Sequence, residues 1–312
     1  MVDVSIVIPT HNRAALLART LRSLADLEIP SGVVVEVVVV ANACTDETLD
    51  VVRQAEDSLS GPVQVVEESR AGLNLARSRG LAAARADLVA FFDDDVWVER
   101  GWLEALTQAA ERLPAQLFAG RVVLEWETCR PSWASPAVER LLSVNDLGDG
   151  VVELARSSQL VGANFAIRRS VVETVGDFAR ALDRRGTELL SGGESDLVKR
   201  ALAAGHRLFY VPGMAVRHWI PRQRATVEHL EALAFGRGRT RVALRAGRGP
   251  HAFACAQLGA AQTLLGGLRE LSAWRRRDDT KRIEARLLRQ RGMGALFALW
   301  RARIDPREEA RG

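Results

Sequence analysis

The sequence predicts an α/β fold: a Rossmann-like, mostly parallel sheet with helices on both faces, followed by a helical C-terminal extension. Three observations predict it. In the first third of the chain, short apolar runs alternate with stretches of helical periodicity, joined by polar turns. One of those runs ends in three consecutive carboxylates, Asp93, Asp94 and Asp95, where open α/β sheets bind their ligands. Charge also divides unevenly, since residues 217–312 hold 21 Arg and Lys against 9 Asp and Glu, a balance of +12, while residues 1–216 balance at −8.

Taken in order, Val4 to Ile8 is a short apolar run ending at Pro9 and reads as the first strand. The polar turn Thr10-His11-Asn12-Arg13 follows, with Asn12 as N-cap of a helix to about Leu27 whose stripe is Leu16, Leu17, Leu21 and Leu24. Val33 to Val40 is a second strand, its valines interrupted only by Glu36, and a turn then leads to a helix from about Glu47 to Leu59. Val63 to Val66 is a third strand, and Arg70-Ala71-Gly72 opens an Ala-rich helix over Leu73 to Arg85. Leu88 to Phe92 is too short for a helix and is a buried strand carrying the Asp triplet at its end. Such alternation implies right-handed βαβ units.

Composition sets further bounds. With 47% hydrophobic and 26% charged residues, the 312-residue chain is of ordinary globular type. Cys44, Cys129 and Cys255 are odd in number and lack metal-ligand spacing, which favours a reducing compartment over a disulfide scaffold. The N-terminus lacks a signal-peptide pattern, and the most apolar window, Ala252 to Leu268, carries Gln257 and Gln262 and is short for a membrane span. The expected location is cytoplasmic, including the inner face of a membrane. The first strand ends without G-x-G-x-x-G, and neither a Walker A run nor a G-x-S-x-G elbow is present, which argues against dinucleotide-dependent, P-loop and α/β-hydrolase chemistry.

Three like charges at the end of a buried strand repel one another unless a positive charge lies among them. A divalent cation, Mn²⁺ or Mg²⁺, takes carboxylate and phosphate oxygens together and answers that need. A metal-dependent phosphoesterase or pyrophosphatase acting on nucleotides fits this chemistry, although five His in the whole chain make a two-metal site hard to complete. A non-catalytic nucleotide-sugar-binding protein is the third class; it would release its ligand unchanged, where a phosphoesterase would consume nucleotide without an acceptor.

Several stretches together resemble family 2 glycosyltransferases of the GT-A fold. Ser5-Ile6-Val7-Ile8-Pro9-Thr10-His11-Asn12-Arg13 looks like the family's opening strand and nucleotide-contacting loop, and Val38 to Thr48 (VVVANACTDET) like its second-strand segment. Gly72 to Gly80 (GLNLARSRG) is similar to its G-x-x-x-A-R-N-x-G helix, and Phe91 to Asp95 with Gly101-Trp102-Leu103 to its DxD segment. Gly162-Ala163-Asn164 with Arg168-Arg169 resembles the acceptor-side strand, Leu189 to Gly205 (LLSGGESDLVKRALAAG) the helix start that supplies a base, and Tyr210 to His218 the closing strand. The chain departs from the pattern at Ala41, where an Asp usually reads the base, at Ser78, and at Gly193-Glu194, where an acidic pair is common.

The resemblance implies an inverting sugar transfer from a nucleoside diphosphate sugar, UDP foremost, to an acceptor hydroxyl. It implies a catalytic domain over residues 1–220, divided into a nucleotide-sugar half (1–110) and an acceptor and base half (111–220), ahead of a basic helical region (221–312). Donor contacts fall to Pro9, Thr10, Asn12, Arg13, Asn42, Arg77, Asp93 and Asp94. The divalent metal falls to Asp95, with Asp93 and His218, and the general base to Glu194 with Asp196 as the other carboxylate. Trp126, Trp133 and Asn164 are the acceptor-side candidates, aromatic faces being suited to sugar rings. The acceptor is a glycan, a lipid-linked group, a peptide or a secondary metabolite. Residues 140–160 are expected to form a loop that closes over the donor. In the last helix Leu296, Leu299 and Trp300 share a face beside Phe297, suited to a membrane surface, to the catalytic domain or to a second copy in a homo-oligomer. The Arg residues are spread without interleaved aromatics, so no nucleic-acid partner is expected.

Overall fold

The computed structural model describes residues 1–179, 192–244 and 250–304. Two compact units result, one of residues 1–125, 143–179 and 193–219, the other of Trp126–Leu142 and the chain from Ile220 onward.

The first unit is built on strands β1 (Val4–Thr10), β2 (Val35–Asn42), β3 (Val63–Glu68), β4 (Leu88–Phe92), β5 (Val96–Val98), β6 (Leu117–Trp126), β7 (Val152–Leu154), β8 (Asn164–Arg168) and β9 (Leu208–Ile220). Helices α1 (Ala14–Ala25), α2 (Thr48–Ala55), α3 (Leu73–Ala83), α4 (Trp102–Arg112), α6 (Arg169–Val175) and α7 (Gly193–Ala203) belong to it. The expected α/β class holds, and the sheet is mixed. Its order is β3-β2-β1-β4-β8-β6-β9-β5, with β7 beside β9. The first four strands run parallel, and β8 then pairs antiparallel with β4. Strand β4 therefore lies where strand direction changes, and its carboxyl end is the place where such sheets leave a crevice.

The strands form where expected, with both faces of β1, β2 and β4 buried, as central strands between two helical layers require. Phe91 stacks on Phe165 at 4.7 Å between ring centroids, and Phe92 meets Trp102 edge-on at 4.8 Å, so alternate residues of β4 anchor opposite layers. Gly80 lets α3 lie close on the sheet, since a Cβ there would come 2.2 Å from the Val7 side chain.

Glu36, the carboxylate among valines, is fully buried. Its Oε1 accepts from the Ser5 hydroxyl at 2.5 Å and the Arg85 backbone N–H at 2.7 Å, and its Oε2 accepts from Arg85 Nε at 2.6 Å. Ser5 Oγ in turn accepts from Ala86 N–H. One carboxylate thereby ties the turn between α3 and β4 to the two strands under it.

The first helix departs from expectation at its start. Asn12 adopts φ of 51° and does not cap it; its Oδ1 accepts from Thr45 N–H at 2.7 Å. Asp46 serves instead, accepting from Ala14 N–H at the start of α1 and from Thr48 N–H at the start of α2. One carboxylate caps two helices. Segment 140–160 differs too. β7 pairs with β9 from Val152↔Tyr210 to Leu154↔Leu208, Asn145 bridges to Val122, and Arg121 pairs with Asp146 and Asp149. Those contacts stitch it to the sheet, where a free closing loop was expected.

In the second unit, α5 (Pro136–Glu139) is capped by Ser135, and α8 (Val227–Ala243), α9 (Pro250–Arg275) and α10 (Asp279–Ile304) pack together. Gly238 and Gly292 set how near these helices come, because a Cβ would lie 2.1 Å from the Arg291 carbonyl oxygen and 2.5 Å from that of Gly259. The apolar face of the last helix, expected to meet a membrane surface, the catalytic domain or a second copy, is divided. Leu299 packs on the small core of Val242, Cys255 and Ala295, and Phe297 meets Phe235 of α8, leaving Trp300 exposed. Leu189 to Ser191 of the acidic segment lie outside the described residues.

Replacing Glu36 by Gln should lower stability by about 1.5–3 kcal/mol in urea unfolding at pH 7, the worth of hydrogen bonds to a charged group. Burial opposes ionisation of Glu36, but Ser5 and Arg85 outweigh it and hold its pKa below the usual carboxylate value. Its contribution is therefore full above the unfolded pKa of about 4.3 and is lost as pH falls through the lower folded value, so wild type and Glu36→Gln should converge in acid.

Candidate active site at the end of strand β4

Chain geometry brings the Asp triplet to two different cations. The Asp94 and Asp95 side chains are almost wholly buried, and Arg13, at the mouth of α1, spans both: Nη1 meets Asp94 Oδ1 and Nη2 meets Asp95 Oδ2, each at 2.5 Å. Thr10 Oγ1 donates to the other Asp94 oxygen at 2.7 Å. Burial pushes the Asp94 carboxyl up to about 7, against the pull of Arg13, with the charge of Asp95 adding to the rise. Arg13 is held more firmly protonated than a free guanidinium, its own burial being outweighed by Asp94 and Asp95.

Asp93 points elsewhere. It faces Arg77 of α3, whose Nη2 lies 3.4 Å from Asp93 Oδ1 and 3.1 Å from the Gly162 carbonyl oxygen, while Nη1 lies 3.1 Å from Glu194 Oε2. Arg77 is buried, so this is a built ion-pair network, and it joins the end of β4 to the start of α7. Two glycines make the approach feasible. A Cβ on Gly162 would fall 2.6 Å from Arg77 Nη2, and one on Gly193 would fall 2.0 Å from Asn74 Oδ1. The expectation that Arg77 serves a diphosphate is thus amended: its guanidinium is committed to Glu194 and Asp93.

His218 reaches the same end of the sheet by register. β5 pairs with β9 so that Val96 faces His218, and Trp219 N–H donates to the Asp95 carbonyl oxygen at 2.9 Å. His218 Nε2 consequently lies 3.2 Å from Asp95 Oδ1, both side chains buried. A carboxylate and an imidazole side by side are a donor set that suits Mn²⁺ or Mg²⁺ when substrate phosphates complete the shell. Among the described residues no group of three or more His, Cys, Asp or Glu stands ready to hold a metal alone. Asp93, expected as a third ligand, is turned to Arg77 instead.

Other expected residues take structural parts. Asn42 spends its side chain on the loop before α3, donating to the Arg70 carbonyl at 2.7 Å and accepting from Gly72 N–H at 2.8 Å, so its expected donor contact is replaced by a loop-holding one. Pro9 is buried within β1, past the point where β1 pairs with β4, which is where a strand without an N–H is tolerated. Asp196 pairs with Arg200 one turn along α7, at 2.8 Å, and not with the Arg77 network. Asn164 is fully buried: it accepts from Trp102 Nε1 at 2.9 Å and donates to the carbonyls of Arg121 and Met214, so it faces no acceptor. Trp126 and Trp133 are half-buried and lie in the second unit.

Two aromatic residues that the sequence reading passed over lie beside Asp95. Trp97 and Trp219 line a small hollow with Leu16, Arg19, Glu125 and Arg217. Arg19 sits 3.7 Å above the Trp219 ring and Arg217 5.4 Å from that of Trp97. The signal was adjacency, since Trp97 is two residues from Asp95 and Trp219 follows His218.

Residues 5–176 match the model of glycosyl transferase family 2. The chain belongs to this family. Among its relatives, the pre-mycofactocin glycosyltransferase of Mycobacterium tuberculosis is 32% identical over 230 residues, covering 71% of this chain and 45% of that protein. Glycosyltransferase AglE of Haloferax volcanii is 26% identical, covering 66% of this chain and 64% of its own. The chain spans about half the length of the first of these relatives and under two thirds of the second. Of solved structures, the mannosyltransferase PcManGT from Pyrobaculum calidifontis, in complex with GDP-Man and Mn²⁺, superposes with a TM-score of 0.63 at 18% identity, covering 94% of this chain and 87% of that one. GalNAc-T7 with UDP, GalNAc and Mn²⁺ gives 0.55 at 18% identity over 78% of this chain and 50% of that one. These likenesses concern the fold, and they bear out the GT-A expectation.

Arg13→Met should destabilise this family 2 domain by about 2–3 kcal/mol, because it leaves Asp94 and Asp95 facing each other without their cation. Millimolar Mn²⁺ should then raise the melting temperature of Arg13→Met more than that of wild type, a comparison that differential scanning fluorimetry reads directly.

Proposed function

We propose that the chain is an inverting glycosyltransferase that moves a sugar from a nucleoside diphosphate sugar, UDP first among the nucleotides, to an acceptor hydroxyl. The observation that carries this reading is the Arg77 bridge. It joins one carboxylate, Glu194, at the start of a helix to another, Asp93, at the strand end two residues before the Asp95 that pairs with His218, all within one unit.

In this reading Glu194 takes the proton from the acceptor hydroxyl as its oxygen attacks the anomeric carbon from the face opposite the diphosphate. The bond from that carbon to the diphosphate oxygen breaks, and its electron pair leaves with the nucleotide. Asp95 and His218 would hold a divalent cation, which when bound offsets the charge gathering on the departing diphosphate. Asp93 accepts hydrogen bonds from hydroxyls of the donor, and its 31% side-chain exposure leaves it open to them. Arg77 orients Glu194 and Asp93 and has no contact with the sugar. Thr10 and Arg13 fix Asp94 and Asp95 so that His218 and Asp95 stay side by side. Asp196 is left with the helix surface and takes no proton.

Two outcomes test this. Glu194→Gln should abolish transfer to acceptor, by at least about a hundredfold, while nucleotide-induced thermal stabilisation stays as in wild type; near-normal turnover would refute the assignment. In a thermal-shift screen of UDP, GDP, dTDP and CDP, one nucleotide should raise the melting temperature and should need Mn²⁺ to do so, because the protein supplies only part of the metal's ligands.

A further inference from the structure

Helix α9 is built inside out. The residues it turns toward its neighbours are small, namely Cys255, Gly259, Gly266 and Ala273, all buried. Those it turns to solvent are large and apolar, with Phe253 68% exposed, Leu264 66%, Leu268 58% and Trp274 61%, and with Leu265 and Leu271 beside them. At 3.6 residues per turn, Phe253, Leu264, Leu265, Leu268 and Leu271 spread over about 120° of the helix surface. A helix of an ordinary globular unit shows the reverse, an apolar face inward and a polar face outward. Small residues inward and large apolar ones outward is the arrangement of helices that pack together against lipid.

Charge points the same way. The turn from α9 to α10 carries Arg275, Arg276, Arg277, Lys281 and Arg282 against Asp278 and Asp279, and each of these cations is exposed. Trp274 sits beside them, at the boundary of apolar face and charge where an indole is favoured. No helix among the described residues is long and apolar enough to cross a membrane.

We propose that the outer face of α9 lies on an anionic lipid bilayer, with Leu264, Leu265, Leu268 and Leu271 entering the acyl boundary and the Arg275–Arg282 turn facing the headgroups. A narrow seam would suit a second copy of the chain, whereas a face this broad suits a plane. The inference stands apart from the donor reading, since it concerns the second unit alone.

Co-sedimentation with large unilamellar vesicles tests it. The full chain should pellet with phosphatidylcholine vesicles containing roughly one third phosphatidylglycerol, and less with phosphatidylcholine alone or at high salt. The triple variant Leu264→Ser, Leu268→Ser, Leu271→Ser should lose at least about tenfold in vesicle affinity, with unchanged helix content by circular dichroism and an unchanged nucleotide thermal shift. All three leucines are solvent-exposed, so folding is not at stake. Absence of pelleting with either vesicle, or equal binding by the triple variant, would overturn the proposal. So would a wild-type dimer in solution that the triple variant dissolves without any vesicle binding, which would assign the face to a second copy.

Discussion

Three adjacent carboxylates at the carboxyl end of a buried strand coexist because two guanidinium groups divide them. Arg13 takes Asp94 and Asp95, and Arg77 takes Asp93. Leaving such carboxylates in low dielectric without partners would drive them to the neutral form, as the upward pressure on Asp94 shows. The division also creates two distinct places. On the Arg13 side the carboxylates are buried and clamped, with His218 at hand. On the Arg77 side a more open carboxylate is joined through one cation to Glu194.

The scaffold supports this division with backbone precision. β4 lies at the border of the parallel and antiparallel parts of the sheet, so residues from β1, α3, β8, β9 and α7 converge on its end. The turn after β4 is held by Thr20, whose hydroxyl bonds the carbonyls of Asp94 and Val96 at 2.9 Å each. Gly162 and Gly193 allow Arg77 and Asn74 to come as near as they do. A side chain misplaced by an ångström in such a network weakens both carboxylate positions together, which couples the two places.

The second unit follows a different logic. Its helices meet at close approach through glycines, and α9 turns its large apolar groups outward. The excess of Arg noted in residues 217–312 is therefore only half of its character; the other half is where the leucines point.

Much of the first unit was legible in the chain itself. Continuous apolar runs and 3.6-residue periods placed the first four strands and three helices in order, because burial on both faces of a parallel strand demands such runs. The Asp triplet marked the site, since like charges at a strand end need a cation whatever the fold. Tertiary structure alone decided which cation each carboxylate meets. Asp93 and Asp95 are two residues apart and point to opposite partners, and those partners, Arg13, Arg77, Glu194 and His218, are brought in by sheet register and helix packing, which no local pattern encodes. The same holds for Asn42, Asn164 and Asp196. Each is a polar residue of the type a site uses, but its hydrogen-bond partners are groups distant in sequence or a turn away along a helix. Burial settled Asn42 and Asn164 into holding the backbone, and helical i,i+4 spacing paired Asp196 with Arg200. The outward face of α9 belongs to this class as well: an apolar period tells that a helix has a face, and only packing tells which way it turns.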